Sequence, residues 1–106
     1  MKKMEFQKSE FKRGLNTTVR LGEKWRGLDI GEIIEIEEGK TAEIIWVAVH
    51  RLKDTSRQTL IHEHDRKCRT YEGLIDTLKN IYPELNEQNM GYAIVTSVAF
   101  RPLPRG

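Results

Sequence analysis

Between Thr70 and Pro83 the residues Tyr71, Leu74, Ile75, Leu78, Ile81 and Tyr82 recur at i, i+3, i+4, i+7, i+10 and i+11. That spacing draws one apolar stripe down a helix and fits no strand period. Thr70 is placed as the N-cap, Glu72 complements the positive first turn, and Pro83 blocks continuation. A helix with one apolar face needs a second layer to cover it, so the rest of the chain must supply that layer.

It supplies strands. Tyr92, Ile94, Thr96, Val98 and Phe100 alternate with Ala93, Val95, Ser97 and Ala99, which predicts a strand over 92–100 entered through Gly91. Gly31 to Glu37 reads as a strand ending in a Glu38-Gly39-Lys40 hairpin turn, with Ala42 to Leu52 as its partner. In that partner Ile45, Val47 and Val49 share one face, and Trp46, Ala48 and His50 the other. Both faces are largely apolar, which predicts a central, well-covered strand with Trp46 in the core. Thr17 to Leu21 is β-branched and short, a further strand. Residues 5–13 fit a short helix or turn stopped by Gly14, and Thr55 to His64 a short surface helix. The class expected is α+β: a small, curved, mixed sheet, closed or nearly so, with short flanking helices. Residues 1–101 form one domain and 102–106 a flexible tail.

The formal charge is only +2, but it is segregated. Lys2 to Arg26 holds eight basic residues (Lys2, Lys3, Lys8, Lys12, Arg13, Arg20, Lys24, Arg26) against three acidic ones, and Asp29 to Glu38 holds five acidic residues and no basic one. Such a distribution polarises a surface. A lone Cys68 forms no intrachain disulfide, and no window approaches the ~20 apolar residues of a membrane span. The expectation is a soluble, cytoplasmic protein whose oligomeric state the sequence leaves open, with a monomer favoured.

Chemistry concentrates in Gly14 to Gly27. Arg20 at a strand end beside a glycine offers a bidentate grip on phosphate or carboxylate. Alternation puts Thr18 on its face and Thr17 on the other. Lys24-Trp25-Arg26 sets a stacking ring between two cations, a combination suited to nucleic acid, and Lys12 and Arg13 extend the basic surface. Arg66, Lys67 and Arg69 could add to it. His62-Glu63-His64-Asp65 lacks histidines four apart on one helical face, so it reads as a polar loop from which Glu63 or Asp65 could act as acid or base. No metal and no cofactor is expected.

The Gly14–Arg20 segment, the Gly31-Glu32 strand opening, the Ala42–Val49 strand, the helix ending in Ile81-Tyr82-Pro83 and the final Gly91–Phe100 strand together resemble the ASCH domain family. The resemblance covers about residues 6–100. It implies a small PUA-like β-barrel with a cleft beside it that takes RNA or a nucleotide. One branch of the family hydrolyses acetylated cytidine with a lysine, a threonine and a glutamate. Thr18 and Arg20 match that branch's threonine and arginine, whereas its lysine falls on Leu15, or on Asn16 if one gap is allowed. Its glutamate falls on Lys67, close to Glu63 and Asp65. The function expected is an RNA- or nucleotide-binding module using Lys12, Arg13, Thr18, Arg20, Lys24, Trp25 and Arg26. The alternative is an amidohydrolase with Thr18 as nucleophile, Lys12 or Lys24 as base, and Glu63 or Asp65 as acid.

Overall fold

The computed structural model describes residues 1–86 and 88–104. Four strands, β1 (Asn16–Leu21), β2 (Ile33–Glu37), β3 (Lys40–Arg51) and β4 (Ile94–Pro102), form one antiparallel sheet in the order β1-β4-β3-β2. Between β3 and β4 the chain makes a five-residue helix, α1 (Arg57–Ile61), and the longer α2 (Tyr71–Ile81). The class is α+β.

Helix α2 lies where the stripe places it. Thr70 Oγ1 accepts from the Gly73 amide at 3.1 Å, closing the first turn. Leu74 and Leu78 are buried and Ile75 half-buried against Val19 of β1 and Val95 of β4, together with Leu52, Leu85 and Met90. A second cluster, Met4, Leu28, Ile34, Ile36, Ala42, Ile44, Val98 and Phe100, is separate from it. Val95 belongs to one cluster and Val98 and Phe100 to the other, so the two cores lie on opposite faces of β4.

β3 is an inner strand of the sheet as expected, but the well-covered strand is β4, buried from Val95 through Phe100, and not β3 as its apolar faces led one to expect. The far half of β3 emerges from cover, with Val49 41% exposed. Register explains the difference: Ile44 pairs with Phe100 and Trp46 with the adjacent Ala99, so Ile45 is a bulged extra residue. Beyond it the faces exchange. Val47 joins Ile44 on the core side, and Trp46 is half-buried outside both clusters instead of central.

Three boundaries also differ from expectation. No helix forms over residues 5–13; the segment is extended with bends, and Phe6 and Phe11 pack edge-to-face at 5.0 Å. Residues 90–92 make a 3-10 turn, so the last strand begins at Ile94. It continues to Pro102, and the Leu103 amide donates to Thr41 at 2.9 Å, so the tail is paired to that point; 105 and 106 lie outside the described residues. No helix among the described residues is long and apolar enough to cross a membrane.

Both sheet edges are covered by short pieces of chain. The N-terminal segment runs parallel to β2, with the Met4 amide donating to Glu35 and the Glu35 amide to Lys2, both at 2.9 Å. On the other edge residues 62–64 run parallel to β1: the Thr17 amide donates to His62 at 2.8 Å and the His64 amide to Thr17 at 3.0 Å. The second of these pairings carries the polar cluster of residues 62–65 alongside Thr17 at the start of β1, next to Thr18.

Candidate functional site

Strand β1 sorts its side chains by alternation. Thr17 is fully buried and its hydroxyl donates to the Thr59 carbonyl of α1. Thr18 and Arg20 turn the other way, into a pocket of about 850 Å³ between the outer edge of β1, the N-terminal segment, the 63–68 loop and α2. Arg20 Nε donates to Thr18 Oγ1 at 3.2 Å, and the guanidinium lies 4.6 Å from the centroid of the Phe6 ring. Its remaining N–H groups have no protein hydrogen-bond partner and stay accessible to solvent, and no carboxylate lies within ion-pairing distance among the described residues. Burial pulls the Arg20 pKa below its ordinary value, opposed by Tyr82, Glu63 and Glu5; a guanidinium nonetheless stays charged.

Glu63 is 3% exposed, and loss of hydration raises its carboxyl to about 8, against the lowering effects of the Asp65 amide and of Arg20 and Arg69. Beside it His64 is pushed down to about 4, again chiefly by burial. Glu63 Oε1 lies 3.3 Å from His64 Nε2, and burial pushes both side chains toward their uncharged forms near neutral pH. His64 Nδ1 lies 3.3 Å from the Glu10 carbonyl, which can only accept. In the neutral ring Nδ1 therefore carries the proton, as the donor to that carbonyl. Arg69 Nε donates to the Glu63 carbonyl at 3.0 Å and fixes the loop from behind.

Of the residues singled out in the sequence, Thr18, Arg20, Glu63, Asp65 and Lys67 meet in this pocket. Lys12 does not line it; its Nζ lies 3.5 Å from the Ile61 carbonyl, close enough for Arg69 and Glu63 to act on its charge, and burial first and Arg69 next lower its pKa. Arg13 is exposed in the turn before Gly14 and lines neither pocket described. Lys24, Trp25 and Arg26 do not join Arg20. Gly22, at φ +81° and held through its carbonyl by Thr96 Oγ1 at 2.7 Å, turns the chain after β1. Trp25 then packs on the Met4 core cluster, Lys24 and Trp25 line a smaller pocket, and Arg26 pairs with Glu23 at 3.0 Å. The single cleft expected from Gly14 to Gly27 is two.

Neither position matched to the branch lysine holds a base. Leu15 is apolar, and Asn16 is fully buried with its amide clamping the preceding loop, accepting from the Lys12 amide at 3.0 Å and donating to the Lys12 and Gly14 carbonyls at 2.9 and 3.2 Å. Phe6 and Tyr82 escaped the sequence reading. Tyr82 was legible only as the last apolar position of a helix, and nothing in Phe6's neighbours points to a guanidinium 14 residues on (20 − 6). Cys68 also lines the pocket, but burial lifts its thiol to about 11, which leaves it a poor nucleophile. Comparison with protein-family models, with curated proteins and with solved structures finds no match to this chain.

Proposed function

We propose that the domain binds a nucleotide or nucleoside in the Arg20 pocket. One observation carries this reading: a half-buried guanidinium on the pocket wall, oriented by Phe6 and Thr18, leaves its remaining donors without a protein acceptor and accessible to a ligand. Positioned charged donors recognise phosphate or carbonyl oxygens strongly, and a cavity of about 850 Å³ lies within the usual range for small-ligand sites. Phe6 and Tyr82 add aromatic wall, and Thr18 and Glu63 add polar groups. A PUA-like barrel would suit this reading; what is seen is a four-stranded sheet with each edge covered by a short parallel pairing.

The test is calorimetric titration with mononucleotides, nucleosides and short single-stranded RNA. Arg20→Ala should weaken binding roughly tenfold or more, the scale of a lost charge-assisted contact. It should also reduce the salt dependence, which on single strands is about −0.7 in log-log slope per neutralised phosphate. Arg57→Ala, exposed on α1, should do far less. Equal losses at the two arginines would mean diffuse attraction and no site.

The meeting of Thr18 and Glu63 in one pocket favours a second reading, amidohydrolysis of acetylated cytidine. Arg20 donates to the Thr18 hydroxyl and cannot take its proton, so Thr18 lacks an activating base at hydrogen-bond distance among the described residues. Turnover should accordingly be negligible. Robust hydrolysis abolished by Thr18→Ala would reverse the order of the two readings.

A further inference from the structure

We infer a second ligand site, for a phosphorylated nucleoside, in the smaller pocket of about 350 Å³ lined by Lys2, Lys3, Lys24, Trp25, Gly27 and Leu28. It shares no lining residue with the Arg20 pocket. Its walls are held from both sides. The hydrogen bonds to Glu35 and the fully buried Met4 fix the backbone that carries Lys2 and Lys3. Across from them the Leu28 amide donates to Trp25 at 3.2 Å, Leu28 is buried, and the half-buried indole rests on the same core cluster as Met4.

The lining has one sign of charge. Three lysines and no acidic residue line the space, whereas Glu5, Asp65 and Asp76 line the larger pocket among its cations. Lys2 and Lys3 lie 3.4 and 3.6 Å from Glu32 and Glu35, with both lysines about half exposed; pairs of this kind hold by roughly 0–1 kcal/mol and yield readily to a phosphate. Lys24 makes no ion pair among the described residues and sits 5.1 Å over the Trp25 ring. An indole flanked by lysines offers a base a stacking surface while the ammonium groups take its phosphoryl oxygens. The volume is near the lower end for small-ligand pockets, room for one nucleotide unit. That unit is either a free mononucleotide or one residue of a single strand.

The experiment follows Trp25 emission in a Trp46→Phe background, titrating with AMP, adenosine, inorganic phosphate and hexa-adenylate, with calorimetry on the unaltered chain as a check independent of that substitution. AMP should quench the emission and adenosine should be about tenfold weaker or worse. Inorganic phosphate should compete with AMP. Lys24→Ala, at an exposed position, should weaken AMP about fivefold or more. Arg20→Ala should leave the quenching unchanged, which separates this site from the one proposed above. Hexa-adenylate binding much more tightly than AMP assigns the site to a strand, and equal affinity assigns it to the free nucleotide. Equal quenching by AMP and adenosine, no quenching by AMP or hexa-adenylate, or a loss on Arg20→Ala as large as on Lys24→Ala would each overturn the inference.

Discussion

Glu63 ties the pocket to proton concentration. Its carboxyl titrates near 8 in the folded protein and near its ordinary 4.5 in the unfolded chain, so the folded state keeps a proton the unfolded state has lost. Its contribution is fully present below about 4.5 and drains away as pH rises through 8. His64 acts with the opposite sign: lowered from 6.5 to about 4, it costs stability as pH falls through that window and is silent above it. Between 6.5 and 8 the Glu63 slope stands clear. Urea unfolding across that range should show stability falling with pH, by at most about 1.4 kcal/mol per unit for a single proton. Glu63→Gln, which cannot ionise, should flatten the slope. At this scale the sequence showed the shared face of Thr18 and Arg20, because strand alternation is local. It joined Trp25 to Arg20 wrongly, because the direction of the chain after Gly22 is set by a hydrogen bond from Thr96, on β4.

Among the elements, α2 was the most legible, since its stripe, cap and stop are written within a few residues of one another. Gly73 in its first turn looks like a defect by propensity, since alanine is favoured there by about 1 kcal/mol. Packing supplies its reason. A Cβ at position 73 would stand 1.8 Å from the Lys67 carbonyl, and Thr70 Oγ1 is already bonded to the Gly73 amide. Gly73→Ala should therefore destabilise the protein by about 1–3 kcal/mol in a denaturant titration, opposite in sign to the propensity effect. A stability gain would mean that the 66–69 turn gives way easily. The bulge at Ile45 was not legible. One extra residue reverses the assignment of every side chain after it, and no local signal in Ile44-Ile45-Trp46 says which partner the strand will lose.

For the whole molecule the governing fact is that two cores share one strand. The radius of gyration, 13.2 Å, is that of a single compact body of this length. Leu78→Ala in the α2 core and Met4→Ala in the other should each cost roughly 2–5 kcal/mol. Because β4 couples the clusters, both should lower the midpoint of one common transition, seen alike by far-ultraviolet circular dichroism and by tryptophan emission. Two separable transitions would show that the faces of the sheet unfold independently. The class α+β followed from mixed periodicities, but the fact that β4 is the strand covered on both faces depended on pairings between residues more than 70 apart in the chain, such as Asn16 with Phe100. That position in the chain also orders events during synthesis. A growing polypeptide releases β1, β2, β3 and both helices before residues 94–100, and until those emerge neither core has its floor. The earlier segments must wait with apolar faces open, so at usual elongation rates of about 5–20 residues per second the protein folds only as the last strand clears the ribosome.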